Sequence, residues 1–169
     1  MQSPISIDAL ASRLAALEAE RAVRATMARY MALCDVPEDA GVGAPLAGLF
    51  TDDAVWEGIG PQYAQKFGRL VGPGAIVEML QRYLPPSPHF AVNAHFLTSE
   101  SIVADEKTAC GRWIMLQASR YADGSAELIA ARLTVDFSPS PNGTGWLIRH
   151  FRTERLLNGP WPLAAAPQP

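Results

Sequence analysis

The sequence predicts an α+β fold, with helices gathered in the first half of the chain and a strand meander in the second. Apolar residues recur at helical spacing from about Asp8 to Cys34, and after Pro88 the period changes to two over four long runs. The connectors between those runs are short and rich in turn residues, the kind that join antiparallel neighbours.

Leu10, Leu14 and Leu17 open the helical stripe, and Val23, Met27, Tyr30, Met31 and Cys34 continue it. Asp8 or Ser6 can cap its start. Pro37 disfavours helix beyond Val36. Residues 37–45 read as a loop, and Pro45 to Phe50 as one or two helical turns. Ala54 to Gly58 is predicted as a short strand, Gly60-Pro61 opens a loop, and Phe67 to Val71 is a second strand. Gly72-Pro73 starts another helix, with proline at its permitted first position. Ile76, Val77, Leu80 and Leu84 form its buried side, and Pro85-Pro86 stops it. The four strand-like runs cover roughly 90–103, 107–121, 126–137 and 145–157, joined by Asp105-Glu106, Asp123-Gly124 and a Pro/Asn/Gly segment at 139–145. No internal repeat interrupts this order. The Pro/Ala-rich tail after Leu157 is expected to drape over the surface or a neighbouring subunit.

With 169 residues, 49% of them hydrophobic and 18% charged, the chain reads as one globular domain over 1–169, its core at about 8–157 and its tail at 158–169. The net charge is −3, and Lys66 and Lys107 are the only lysines, so the basic footprint of a nucleic-acid or anionic-membrane partner is missing. No apolar run approaches the ~20 residues of a spanning helix, and no basic segment precedes an apolar stretch at the N-terminus. A cytoplasmic protein is the expectation. Cys34 falls on the apolar helix face and Cys110 inside a strand pattern, which suits two buried thiols, although the sequence leaves a disulfide open.

Five short motifs appear in a fixed order. They are the helix end from Tyr30 to Asp35, Phe50-Thr51-Asp52-Asp53-Ala54-Val55-Trp56, Gly72-Pro73-Gly74-Ala75-Ile76, Gly111-Arg112-Trp113, and the late Gly145-Trp146. Over roughly residues 10 to 157 they make the chain resemble the SnoaL-like branch of the nuclear transport factor 2-like, or cystatin-like, superfamily. The resemblance implies a cone-shaped, strongly curved antiparallel sheet wrapped around the N-terminal helices and enclosing an apolar pocket. Several members resemble the chain more closely, among them bile-acid 7α-dehydratase, scytalone dehydratase and hexachlorocyclohexane dehydrochlorinase. All three are cofactor-free lyases with an Asp–His pair. The bile-acid dehydratase pattern has a Tyr, an Asp five residues on, a His ahead of the Gly-Arg-Trp strand, and an Arg nine residues after the final-strand Trp. It falls here on Tyr30, Asp35, His95 and Arg155, with His89 a rival for the histidine. Members often carry Gly-Arg-Tyr in the third long strand. This chain has Ala131-Arg132-Leu133, so an aromatic hydroxyl is missing and the pocket rim should differ.

The residues themselves suit such chemistry. Eliminating water or a halide needs a base that removes an acidic C–H near neutral pH, and an imidazole with an unperturbed pKa of ~6.5 is matched to that task. Asn93, His95 and Leu97 share one strand face. Asp35 ends a helix, where the dipole is unfavourable to an acid, so a paired partner is expected, and orienting His95 is the role it would have. Tyr30, on the buried stripe, could protonate a leaving hydroxyl or hold a carbonyl oxygen, or could simply be packed with its hydroxyl satisfied. Arg155 lies at the same parity as Leu147, Phe151 and Leu157 and is expected at the cone mouth, where it could neutralise an enolate, carboxylate or phenolate, or else form a rim salt bridge. Arg112 and Arg132 are weaker candidates of that type. His150 shares the opposite parity with Trp146, Ile148 and Arg152 and is assigned to an interface or the surface.

Trp56, Phe67, Phe90 and Trp113 are predicted to line the pocket, with Met79, Phe96, Met115 and Phe137 supplying further apolar bulk. A steroid, polyketide, terpenoid or lignin-type aryl compound would suit those walls. His89, His95 and His150 match no metal-ligand spacing, GxSxG is absent, and Gly58-Ile59-Gly60 and Gly72-Pro73-Gly74 are too short for a dinucleotide loop, so neither metal nor cofactor is predicted. Asp52-Asp53 reads as a turn into the following strand. These observations predict a cofactor-independent lyase, of dehydratase or retro-aldol type such as a formaldehyde-releasing enzyme. An isomerase or cyclase and a non-catalytic ligand-binding or assembly module are the alternatives. The sheet face away from the helices suggests a homo-oligomer, and the resemblance favours a trimer over a dimer.

Overall fold

In the computed structural model, residues 6–37, 43–87, 89–143 and 145–161 are described. The first helix, α1 (Ile7–Cys34), begins where the Ser6 side chain accepts a hydrogen bond from the Ala9 N–H at 3.2 Å. Glycine and proline are absent from its length, so nothing interrupts it over about 42 Å at 1.5 Å per residue. Its C-terminal half is buried through Val23, Thr26, Met27, Tyr30, Met31 and Cys34. The N-terminal half differs from expectation. Leu10, Leu14 and Leu17 belong to the same stripe yet are 52%, 58% and 61% exposed.

Short elements follow. The loop predicted at 37–45 falls largely outside the described residues, and α2 (Gly43–Ala47) precedes β1 (Phe50–Ile59). That strand is longer than predicted and contains Asp52 and Asp53, both exposed, in a stretch where the pairing register shifts. Gly60-Pro61 starts a helix, α3 (Gly60–Lys66), rather than a loop, with proline at a first-turn position that has no N–H to lose. A Cβ at Gly58 would lie 2.3 Å from the Tyr63 carbonyl oxygen, so glycine there lets α3 fold back against β1. Then come β2 (Arg69–Val71) and α4 (Pro73–Gln81), which buries Ile76, Val77 and Met79.

Four long strands complete the chain: β3 (Phe90–Ala104), β4 (Ala109–Tyr121), β5 (Ala126–Pro139) and β6 (Trp146–Pro160). They form an antiparallel meander within one curved, unclosed six-stranded sheet of order β2-β1-β6-β5-β4-β3. The prediction of a wholly antiparallel sheet needs one correction. β1 pairs with β6 in parallel, so the sheet is mixed. The last strand also runs to Pro160, beyond the predicted end at Leu157, while residues 162–169 of the tail lie outside the described residues.

The face of β6 is set by its bulges. Trp146 and Ile148 are buried, the register shifts across Arg149, and then Phe151 and Thr153 are buried. The parity argument placed Trp146 and Ile148 on the face opposite Phe151, but the extra residue in the bulge puts all three inside. A second shift near Leu156 leaves Leu156 and Leu157 both exposed.

Candidate active site

The end of α1 is fastened to β3. Asp35 leaves the helix in an extended conformation after its N–H bonds the Met31 carbonyl at 2.9 Å. Val36 then makes an isolated antiparallel bridge with Asn93, with N–H···O distances of 2.8 and 2.9 Å, and Asn93 Nδ2 donates to the Cys34 carbonyl at 3.3 Å. That fastening carries the Asp35 carboxylate to His95, two residues along β3. Asp35 Oδ1 lies 2.8 Å from His95 Nδ1 and accepts the His95 backbone N–H at 2.9 Å.

A carboxylate can only accept, so the proton of the neutral ring sits on Nδ1 and the lone pair on Nε2. The His95 side chain is 10% exposed. This contact satisfies the acid at the helix C-terminus, where the dipole would otherwise oppose it.

His95 lines a cavity of about 130 Å³ between α1, the short helices and the inner face of the sheet. Trp56, Phe67 and Phe90 line it, and Met79 and Met115 join them. The rings interlock: Trp56 stacks on Phe151 with centroids 5.5 Å apart and meets Phe67 edge-on at 5.2 Å. His89 also faces the cavity, in edge contact with Tyr83 at 5.0 Å and Tyr121 at 5.5 Å. Both rival histidines therefore reach the hollow, but His95 alone of the two has a carboxylate partner among the described residues. Burial, and then the nearby Lys66 ammonium, holds the His89 imidazole below its ordinary pKa.

Tyr30 borders the same cavity. Its hydroxyl accepts the Trp56 indole N–H at 3.0 Å and is hydrogen-bonded to the Cys34 side chain. Burial, with a contribution from Cys34, pushes this phenol well above its ordinary pKa, so it is a neutral hydroxyl group. Neither Cys34 nor Cys110 is in a disulfide. Arg155 points inward from β6. Its guanidinium lies 4.8 Å from the centre of the Tyr63 ring, and its Nε is buried without a hydrogen-bond partner.

Three predicted lining residues lie elsewhere. Trp113 is buried on the inner face, but its indole folds back over Gly111, packs near Phe137 and donates to Glu100 at 3.1 Å. A Cβ at Gly111 would fall 2.0 Å from that ring, which accounts for the glycine two residues before the tryptophan. Arg112 points to the exposed face of β4. Arg132 is likewise outside and pairs with Glu154 at 2.7 Å, so neither guanidinium borders the cavity. Phe96 is 53% exposed on the outer face of β3, and Phe137 is core. His150 sits on the outer face of β6, 3.0 Å from the Glu57 carboxylate.

The sequence reading missed a polar shelf beside His95. Asn93 Oδ1 accepts from Ser119 Oγ at 2.7 Å and from Gln117 Nε2 at 2.9 Å, and Gln117 Nε2 also donates to Ser119 Oγ at 3.0 Å. Gln117 lies directly across from His95 in the strand register. The signal was present in the alternation that puts Asn93 on the face of His95, but the partner strand's register is not local information. Lys66 and Tyr83 also line the cavity; Lys66 lies on α3, where the sequence predicts a loop, and Tyr83 follows the end of α4 at Gln81, where the sequence predicts helix as far as Leu84.

The α+β fold thus holds an acid–imidazole pair at the edge of an aromatic hollow. The profile of the SnoaL-like domain family matches residues 15–152, and the chain belongs to that family. No curated protein matches it in sequence. Among solved structures it is similar to a type 2 hexachlorocyclohexane dehydrochlorinase, with TM-score 0.73, 19% identity and coverage of 92% of this chain and 98% of the other. It is also similar to a protein of Novosphingobium aromaticivorans assigned provisionally as a scytalone dehydratase (TM-score 0.69, 18% identity, 89% and 92% covered). A third, from the same organism, is a nuclear transport factor 2-like protein with a cystatin-like fold (TM-score 0.66, 24% identity, 91% and 92% covered). These likenesses define the fold.

Proposed function

We propose that the protein is a cofactor-independent lyase acting on a small hydrophobic cyclic or aromatic compound. The observation that carries this reading is the 2.8 Å contact between His95 Nδ1 and Asp35 within the aromatic cavity. It leaves Nε2 as a base with a carboxylate behind it to stabilise the imidazolium that forms. In a dehydration, Nε2 takes the proton from a carbon beside an electron-withdrawing group. The C–H electron pair forms the double bond, and the leaving hydroxide departs with a proton from the imidazolium or from the Tyr30 hydroxyl. In the retro-aldol variant Nε2 takes a hydroxyl proton, the C–C bond breaks as a carbonyl forms, and the carbanion is reprotonated from the imidazolium. Release of formaldehyde would mark a primary alcohol as the cleaved group. Arg155 Nε, buried and without a partner, suits an oxygen that bears or gains negative charge.

The test is turnover of hydroxylated aryl and cyclic compounds, followed by mass spectrometry for loss of water or formaldehyde. His95→Ala should lower the rate by about 10²–10⁴-fold. A near wild-type rate in that variant would reject the assignment. Isomerisation and cyclisation use the same base, and a product of unchanged mass would move the protein to that class. Binding of a ligand with no turnover of any kind would favour the non-catalytic module.

A homo-oligomer remains part of the proposal, with a trimer favoured over a dimer. Its support is the exposed apolar surface of Ile7, Leu10, Leu14 and Leu17 on α1 and of Val92, Phe96 and Leu116 on the outer face of β3 and β4.

A further inference from the structure

The cavity has two polar ends, and only one of them is an acid–base pair. His95 stands on β3 and Arg155 on β6, with two strands between them. The register aligns Arg155 with Ala131 and Met115, in the row next to the one that joins Gln117 and His95. Three strand spacings of about 4.8 Å put their backbones roughly 14 Å apart measured along the sheet, so the two residues enter the hollow from different parts of its wall.

Lys66 sits on the Arg155 side. Its Nζ lies 5.0 Å from the Phe67 ring centre and 5.4 Å from that of Tyr83, while Arg155 lies 4.8 Å from that of Tyr63. The Tyr63 and Phe67 rings are themselves 5.0 Å apart, so both cations flank one aromatic cluster. Among the described residues neither cation has a carboxylate within ion-pair distance. Glu127 interacts electrostatically with both, and its oxygens are already engaged, one by the Tyr121 hydroxyl at 2.7 Å and the other by Asn158. Two cations against one carboxylate leave this end of the cavity one positive charge in excess.

We propose that Lys66 and Arg155 form an anion-binding subsite that takes a carboxylate or phenolate carried on an aromatic ring, with the buried Arg155 Nε as its fixed donor. The proposal deepens the reading of the cavity as a substrate site by naming the substrate class. The ring lies against Tyr63 and Phe67, the charged oxygen meets the two cations, and the opposite end of the molecule reaches His95. Burial, together with the Arg155 guanidinium, holds the Lys66 ammonium below its ordinary pKa, and an incoming anion relieves that penalty. The Arg155 Nε is buried without a hydrogen-bond partner, and an apolar ligand would leave it so.

Calorimetric titration of the full chain tests this with three probes of similar size: 4-methoxybenzoate, 4-nitrophenolate and the neutral 4-methoxybenzyl alcohol. At least one anion should bind about tenfold tighter than the alcohol, and which anion it is separates carboxylate from phenolate. Lys66→Met should remove most of that preference while leaving the alcohol's Kd within about twofold, and Lys66→Arg should restore it. Equal binding of all three probes, or an anion preference intact in Lys66→Met, would overturn the proposal. His95→Ala, by contrast, should leave the preference unchanged. Anion binding in a chain that turns nothing over would sink the lyase reading and keep the subsite.

Discussion

Asp35 holds His95 by two handles at once, accepting its ring Nδ1–H at 2.8 Å and its backbone N–H at 2.9 Å through a single carboxylate oxygen. The acid therefore fixes the strand and the ring together, and the tautomer follows from the geometry. Asp35→Asn keeps an acceptor in place but removes the charge that would stabilise an imidazolium. On any substrate found, kcat should fall by about 10²-fold or more with a smaller change in KM. An unchanged kcat would separate Asp35 from the chemistry.

Tyr30 and Trp56 form a buried pair whose removal should register chiefly as instability. Tyr30→Phe strands the Trp56 N–H, which now donates to the phenol at 3.0 Å. Leaving a buried donor unpaired costs about 1–3 kcal/mol, read as a lower urea midpoint with an unchanged m-value. Activity should suffer less than in His95→Ala. If Tyr30→Phe matches His95→Ala in rate but not in stability, the phenol is the proton donor to the leaving group.

Gly111 makes room for the Trp113 ring. Gly111→Ala places a methyl 2.0 Å from the present indole position, so the ring must move off its contacts with Glu100 and Phe137. Overpacking of this kind costs about 1–3 kcal/mol. Thermal melts of the variant should show the loss, and the cavity, which Trp113 does not border, should keep its ligand affinity.

His89 should make stability depend on pH. Its folded pKa lies below the ordinary 6.5, through burial and then Lys66, so the unfolded chain binds the proton more tightly. The stability that neutral His89 contributes is present above pH 6.5 and is lost as pH falls from there through the lower folded value. Urea midpoints measured across that interval should fall with decreasing pH, and less steeply in His89→Gln. Equal slopes in the two proteins would show that the imidazole is not shielded.

Light scattering on a size-exclusion column should give a multiple of the 18.2 kDa chain mass. Leu14→Glu with Leu17→Glu, on the exposed half of α1, should shift it toward one chain. A monomer before any substitution would reject the oligomer.

The parts legible in the sequence are those governed by local period. The length of α1 follows from its stripe and its freedom from glycine and proline, and the meander follows from alternation and turn residues. The pairing of Asp35 with His95 was reachable because the helix end and the strand parity each placed a residue, and the resemblance supplied the contact. Other features depend on what lies across the sheet. The parallel pairing of β1 with β6 joins segments about a hundred residues apart in sequence, and no local pattern encodes it. Asp52-Asp53 concealed the first half of β1, because two adjacent charges break the apolar signature of a strand without breaking the strand. Proline after Gly60 looks like a breaker in the sequence, although at the first turn it is a starter, and the helix that it starts carries Lys66. Arg112 and Arg132 have the residue type of an oxygen-binding cation, yet their parity points them away from Trp113 and Leu133.

The extra residue at Arg149 is also the one place where β6 can change length without touching the cavity. Deleting it would straighten the strand and leave Ile148 opposite Phe137 and His150 opposite Asp136, so Phe151, Thr153 and Arg155 would keep facing inward. Losing Arg152 instead, now tied to Asp136 at 2.6 Å, would turn Thr153 and Arg155 outward. A gap of one in this family's final strand therefore spares the hollow where it falls on the bulge and relines it where it falls just after.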